Sequence, residues 1–210
     1  MSFIKEFREY YVLIIGFVLC LIFMPVAVVG YPAYEAFRTE APETVSMVIN
    51  HVIGAGMRLD NIFKVAGFIL VALGSGRVIG KNKKFGPVVF WALSSALFRL
   101  LYMLMPFFFN GSMRFRVGYV LYFIALAFEI ITLFMVMLAM TRLFETLANH
   151  SYNNVTVIFG MLSTASGLVF HIIWFYDIVI VGLIYYAAQV IFAFVYCYRI
   201  WKDRGMLEQA

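Results

Sequence analysis

Charge is what this chain has least of. Only 13% of its 210 residues are Asp, Glu, Lys or Arg, while 64% are hydrophobic. A soluble domain is about half apolar and about a quarter charged, so the composition excludes a soluble fold. Cysteine is nearly absent. Cys20 and Cys197 both lie inside hydrophobic runs, make no CxxC or other metal spacing, and offer no disulfide framework. Histidine is as scarce: His51 falls in a loop and His150 at a helix end, leaving only His171 within a hydrophobic run. A bis-histidine haem inside a bilayer is therefore not expected. Asp60, Asp177 and Asp203 are the only aspartates, too few for the aspartate-rich helix of a CDP-alcohol transferase. Glu-x-x-His pairs, a glycine-rich phosphate loop and a GxSxG elbow are missing as well. A retinal-type site needs a mid-helix lysine, and Lys64 stands near a helix end. Neither a metal nor a cofactor is expected, and the balance is against an enzyme.

What the chain does have is long apolar runs. They lack the alternation, in segments of about ten residues, that marks a transmembrane barrel. About 20 apolar residues cross a hydrocarbon core as a helix, and six such spans can be placed, at 10–30, 62–79, 85–109, 117–140, 154–176 and 178–198. The first run is longer than a signal-peptide core and has no convincing cleavage site after it, so it reads as a retained helix. The second is the least apolar: Lys64 opens it and Arg77 closes it, and both are expected to snorkel to an interface. The expectation is a single all-α domain over 1–210, a polytopic bundle of six transmembrane helices.

The net charge of +5 belongs to topology rather than to nucleic acid. With the N-terminus inside, the inner segments hold ten basic residues: Lys5, Arg8, Arg77, Lys81, Lys83, Lys84, Arg142, Arg199, Lys202 and Arg204. The outer segments hold four, Arg38, Arg58, Arg114 and Arg116. The positive-inside rule then places both termini in the cytoplasm. The one long loop, residues 31–61, lies outside. In it Val45, Val48, Ile49, Val52 and Ile53 repeat on one helical face after Pro42, which predicts an amphipathic helix in the headgroup region or capping the bundle. Between spans five and six only Tyr176 and Asp177 remain, which requires antiparallel neighbours. Gly76 and Gly80 form a GxxxG at an inner helix end, a packing signal at most. Asn110-Gly111-Ser112 matches a glycosylation sequon but reads as a tight turn.

Three polar residues stand at mid-span: Arg99, Glu129 and Gln189. A charge at bilayer depth costs roughly 2.5–3.5 kcal/mol on insertion scales and normally faces a protein interior. Each also lies on a stripe of small or polar residues at helical spacing. The stripes are Ala92, Ser95, Arg99, Tyr102; Gly118, Tyr122, Ala125, Glu129, Thr132; and Gly182, Tyr185, Gln189, Ala193, Tyr196. Small and hydroxylated residues mark helix contacts in lipid, so these faces are expected to converge. An Arg99–Glu129 ion pair hydrogen-bonded to Gln189 would lock helix register; the functional reading is a polar centre for an ion, a proton or a small anion. In span five Gly160, Thr164, Gly167 and His171 share a face. With Asp177, Arg58, Asp60 and Lys64 at similar depth, His171 could line an outer vestibule.

Three functional classes follow. The first is a non-catalytic membrane subunit or assembly partner of a larger complex, working with protein partners or with further copies of itself in the lipid bilayer. Span one, apolar all round, is its expected lipid-facing or partner-facing element. The second is a small transporter or channel, which requires a water-accessible midplane cavity. The third is a lipid-modifying enzyme, for which His171 and Asp177 are the available pair.

Overall fold

The structure is a computed structural model that describes residues 2–22, 59–80, 83–109, 111–148, 154–175 and 179–203. Six α-helices account for nearly all of these: α1 (Ser2–Leu21), α2 (Leu59–Val78), α3 (Gly86–Phe108), α4 (Gly111–Ala148), α5 (Asn154–Phe175) and α6 (Val179–Asp203). A single 3-10 turn, Lys83–Phe85, leads into α3. Five of the helices, α2 to α6, are long and apolar enough to cross a membrane, which makes the chain a multi-pass integral membrane protein. In α1 the apolar part described is Tyr10–Leu21. The rest of the first expected span and the amphipathic stretch at 45–53 lie outside the described residues.

Local sequence explains the limits of α3. Pro87 stands in the first turn of α3, where its missing N–H costs nothing. The α3 C-cap, Phe109, is extended and returns its N–H to the Met105 carbonyl at 3.2 Å. Helix α4 is far longer than its expected span. At 38 residues it reaches about 57 Å, and only Arg116–Arg142 is apolar enough to lie in lipid.

Each helix packs against its neighbours along the chain, α1 on α2, α2 on α3, α3 on α4 and α5 on α6. The Tyr186 hydroxyl donates to the Leu21 carbonyl at 3.0 Å, bringing α6 back against α1. The α1–α2 crossing is the tightest. A Cβ on Gly16 would stand 2.7 Å from the Gly67 carbonyl oxygen, and one on Gly67 would stand 2.7 Å from the Cys20 sulfur. Small residues let helix backbones approach where lipid supplies no hydrophobic drive. Gly76 and Gly80, by contrast, have open space where a Cβ would be, so the GxxxG at the end of α2 packs against nothing described.

The apolar core joins Leu13, Phe17 and Cys20 of α1 to Phe68 and Val71 of α2, Val88 and Ala92 of α3, Leu133 and Val136 of α4, and Ala193 and Tyr196 of α6. Helix α1 is thus held on one side, through Leu13 and Phe17. Among the five described spans the most exposed is that of α6, which is 22% buried against 44–50% for those of α2 to α5.

Candidate functional site: a buried charged centre

Helices α3 and α4 run antiparallel, and their polar stripes meet rung by rung. Ser95 and Thr132 share a hydrogen bond at 2.7 Å. One step along, the Arg99 Nη2 donates to Glu129 Oε2. Beyond it the Tyr102 and Tyr122 rings stand 5.8 Å apart. The two expected faces do converge, and the arginine meets the carboxylate because the rungs on either side set the register.

Glu129 is the hub. Its Oε1 accepts from the Lys64 ammonium at 2.7 Å. Arg99 Nη1 donates to the Asn61 amide oxygen of α2 at 3.1 Å. The His171 Nε2 of α5 lies 3.5 Å from Glu129 Oε1 and 3.4 Å from Lys64 Nζ. One carboxylate therefore gathers cations from α2 and α3 and the imidazole of α5. Its surroundings are closed: Glu129 is 1% exposed, Arg99 2% and Lys64 4%. Asp60, one turn before Lys64 on α2, is also buried. The Arg99 Nε has no hydrogen-bond partner among the described residues.

The geometry limits the chemistry. A lysine ammonium only donates, so the Lys64–His171 contact is a hydrogen bond only while Nε2 keeps its lone pair. If Nε2 carries a proton instead, it can donate to Glu129 and must then turn from Lys64. The imidazole thus has two exclusive partners, and a proton decides between them.

Three residues, Lys64, His171 and Gln189, lie where the sequence does not place them. Lys64, expected to snorkel outward, points into the bundle, because the Glu129 carboxylate offers a stronger partner than the route to the interface. His171 and Lys64 thereby stand beside Glu129 in the charged centre. Gln189 is held elsewhere, against α5. Its backbone carbonyl accepts from Ser163 at 3.0 Å, and its side chain lies so close to Gly167 that a Cβ there would come within 2.5 Å of Nε2. The Gln189 stripe instead reaches α4 at Tyr196, whose hydroxyl donates to the Met137 carbonyl at 2.6 Å, about three turns before the end of α4. Asn61 had no signal in the sequence, since a lone amide at a helix start reads as a cap. Arg58 and Asp177 lie outside the described residues, as do His51 and His150.

Among the described residues no group of three or more His, Cys, Asp or Glu gathers as a metal site. No known protein family, curated protein or solved structure matches the chain.

Proposed function

We propose that this chain is a non-catalytic integral membrane protein, a membrane-embedded subunit or assembly partner of a larger complex. The proposal includes six spans, both termini in the cytoplasm and an amphipathic helix in the first outer loop, on the strength of the basic-residue count and the apolar face at 45–53. One observation carries the functional reading: both oxygens of Glu129 are occupied by cations from two other helices in a closed interior. A carboxylate held this way fixes helix register, and removing it strands two buried positive charges. The broad exposed face of α6, with Ile180, Ile184, Ile191 and Phe194, is the surface on which a partner helix would lie.

Purification in mild detergent tests this. The expected result is stoichiometric recovery with another chain or with further copies, and loss of that assembly in Glu129→Ala. A well-folded protein recovered alone from its native membrane would sink the reading.

A second reading, a small transporter using the same centre, requires water to reach a site whose charges are 1–4% exposed in this arrangement, so it needs a second, opened conformation. His171 Nε2 has two exclusive partners, and a proton passing through would exchange them. Normal assembly of His171→Gln with loss of proton-coupled solute flux in proteoliposomes would favour transport over the register lock.

A further inference from the structure

Away from the charged centre, a cleft of about 330 Å³ opens between the turn that precedes α3 and the far half of α4. Lys83 and Lys84 line it from the 3-10 turn, Pro87 from the first turn of α3, and Met135, Leu138, Ala139 and Arg142 from α4. The α4 residues follow at i, i+3, i+4 and i+7, so they form one strip of a single helix face. All three cations are exposed, and the antiparallel register of α3 and α4, with Ser95 opposite Thr132 and Arg99 opposite Glu129, carries Lys83 and Lys84 toward the Arg142 end of the strip.

Three features describe what would fit. The apolar spans end at these cations: one candidate span begins at Lys83 and another stops at Arg142. The cleft therefore sits at the depth of lipid headgroups. Its floor runs toward the bilayer centre, since Met135 lies seven residues, about 10 Å, inward of Arg142 along α4. The α3 N-terminus borders it too, and among the described residues no side chain caps that end, so the positive end of the helix dipole adds to the three cations. A positive mouth above an apolar floor is the chemical gradient of an anionic phospholipid, phosphate outward and acyl chain inward. Basic pockets between transmembrane helices bind anionic headgroups by the same physics.

We propose that this cleft is a binding site for one anionic phospholipid. The phosphate is held by Lys83, Lys84 and Arg142, and the first part of an acyl chain lies along Met135, Leu138 and Ala139. The shared chemistry, a phosphate monoanion, would also attract free phosphate, but only the lipid uses the apolar floor. The site is independent of the functional reading above and of which side of the membrane it faces.

The test uses the full chain in neutral detergent with fluorescent phosphatidylglycerol as the probe, and phosphatidylcholine and inorganic phosphate as competitors. Saturable binding of about one probe per chain is expected, with little competition from either. The variant K83Q/K84Q/R142Q should bind on the order of 100-fold more weakly, from about a tenfold factor per 1.4 kcal/mol and ~1 kcal/mol per basic residue. L138W, which fills the floor and leaves every charge in place, should also lose binding, and K202Q, a cation on α6, should not. Gel filtration and a thermal melt confirm that each variant is folded. Unchanged binding in both cleft variants overturns the site. Equal loss in K202Q shows unspecific charge attraction and also overturns it. Full displacement by inorganic phosphate, with no effect of L138W, would mean a free-anion site instead of a lipid site.

Discussion

Glu129 is the residue on which the most interactions depend. Removing one partner from a buried ion pair costs about 3–5 kcal/mol, because the other is left charged and unsolvated. Glu129→Gln should therefore lower the melting temperature in detergent sharply, since Lys64 and Arg99 both lose their carboxylate. The combined replacement Lys64→Met, Arg99→Met and Glu129→Leu should recover most of that loss, because a packed apolar centre can match a buried ion cluster. A triple variant that stays as unstable as Glu129→Gln would show that the polar groups do more than neutralise each other. Arg99 and Glu129 could be paired from the sequence, because each sits mid-span on a stripe of small and polar residues. Lys64 could not. Its position near a helix end fits outward snorkelling as well as inward reach, and only the location of Glu129 on another helix chooses between them.

Two sets of glycines, one at the middle of α2 and one at its end, illustrate how little an element shows of its own packing. Gly67 stands against Gly16 and Cys20 of α1, while Gly76 and Gly80 face open space. Gly67→Val should push α1 away from α2 and lower stability by more than 1 kcal/mol, the usual scale of overpacking, seen as an earlier melt or poor recovery of folded protein. Gly76→Ala should be neutral or slightly stabilising, since alanine is the better helix former by about 1 kcal/mol and its methyl meets nothing. Equal damage from both would contradict the crossing. The spacing Gly76-x-x-x-Gly80 looks like the stronger motif, yet Gly67 has no glycine at i+4. Its partner, Gly16, is on another helix, where a linear motif cannot record it. In the same way the apolar part of α1, Tyr10–Leu21, gives no hint in its sequence that Leu13, Phe17 and Cys20 hold it to α2 and the core.

For the whole molecule, membrane orientation is the property that can be checked most directly. In a background without Cys20 and Cys197, Asn82→Cys should react with an impermeant maleimide only after cells are permeabilised, and Ser112→Cys should react in intact cells. The opposite pattern would invert the topology, and the cationic cleft would then face outward. For the stretch 45–53, proposed above as an amphipathic helix, Val48→Asp and Ile49→Asp should weaken its membrane association in a brominated-lipid quenching assay without altering the charged centre.

Composition alone determined that the chain is helical and lies in a bilayer, because too few charges remain to solvate a surface and the apolar runs have the length of a hydrocarbon core. Helical spacing determined which faces of α3 and α4 meet. The tertiary structure decided which charges share a site. Lys64, Arg99, Glu129 and His171 are spread over more than 100 residues of chain, and each alone is compatible with a cap, a snorkelling end or a packing contact. Their meeting depends on the order in which four helices stand around one another and on the side-chain reach across them, neither of which has a period that can be read along the chain.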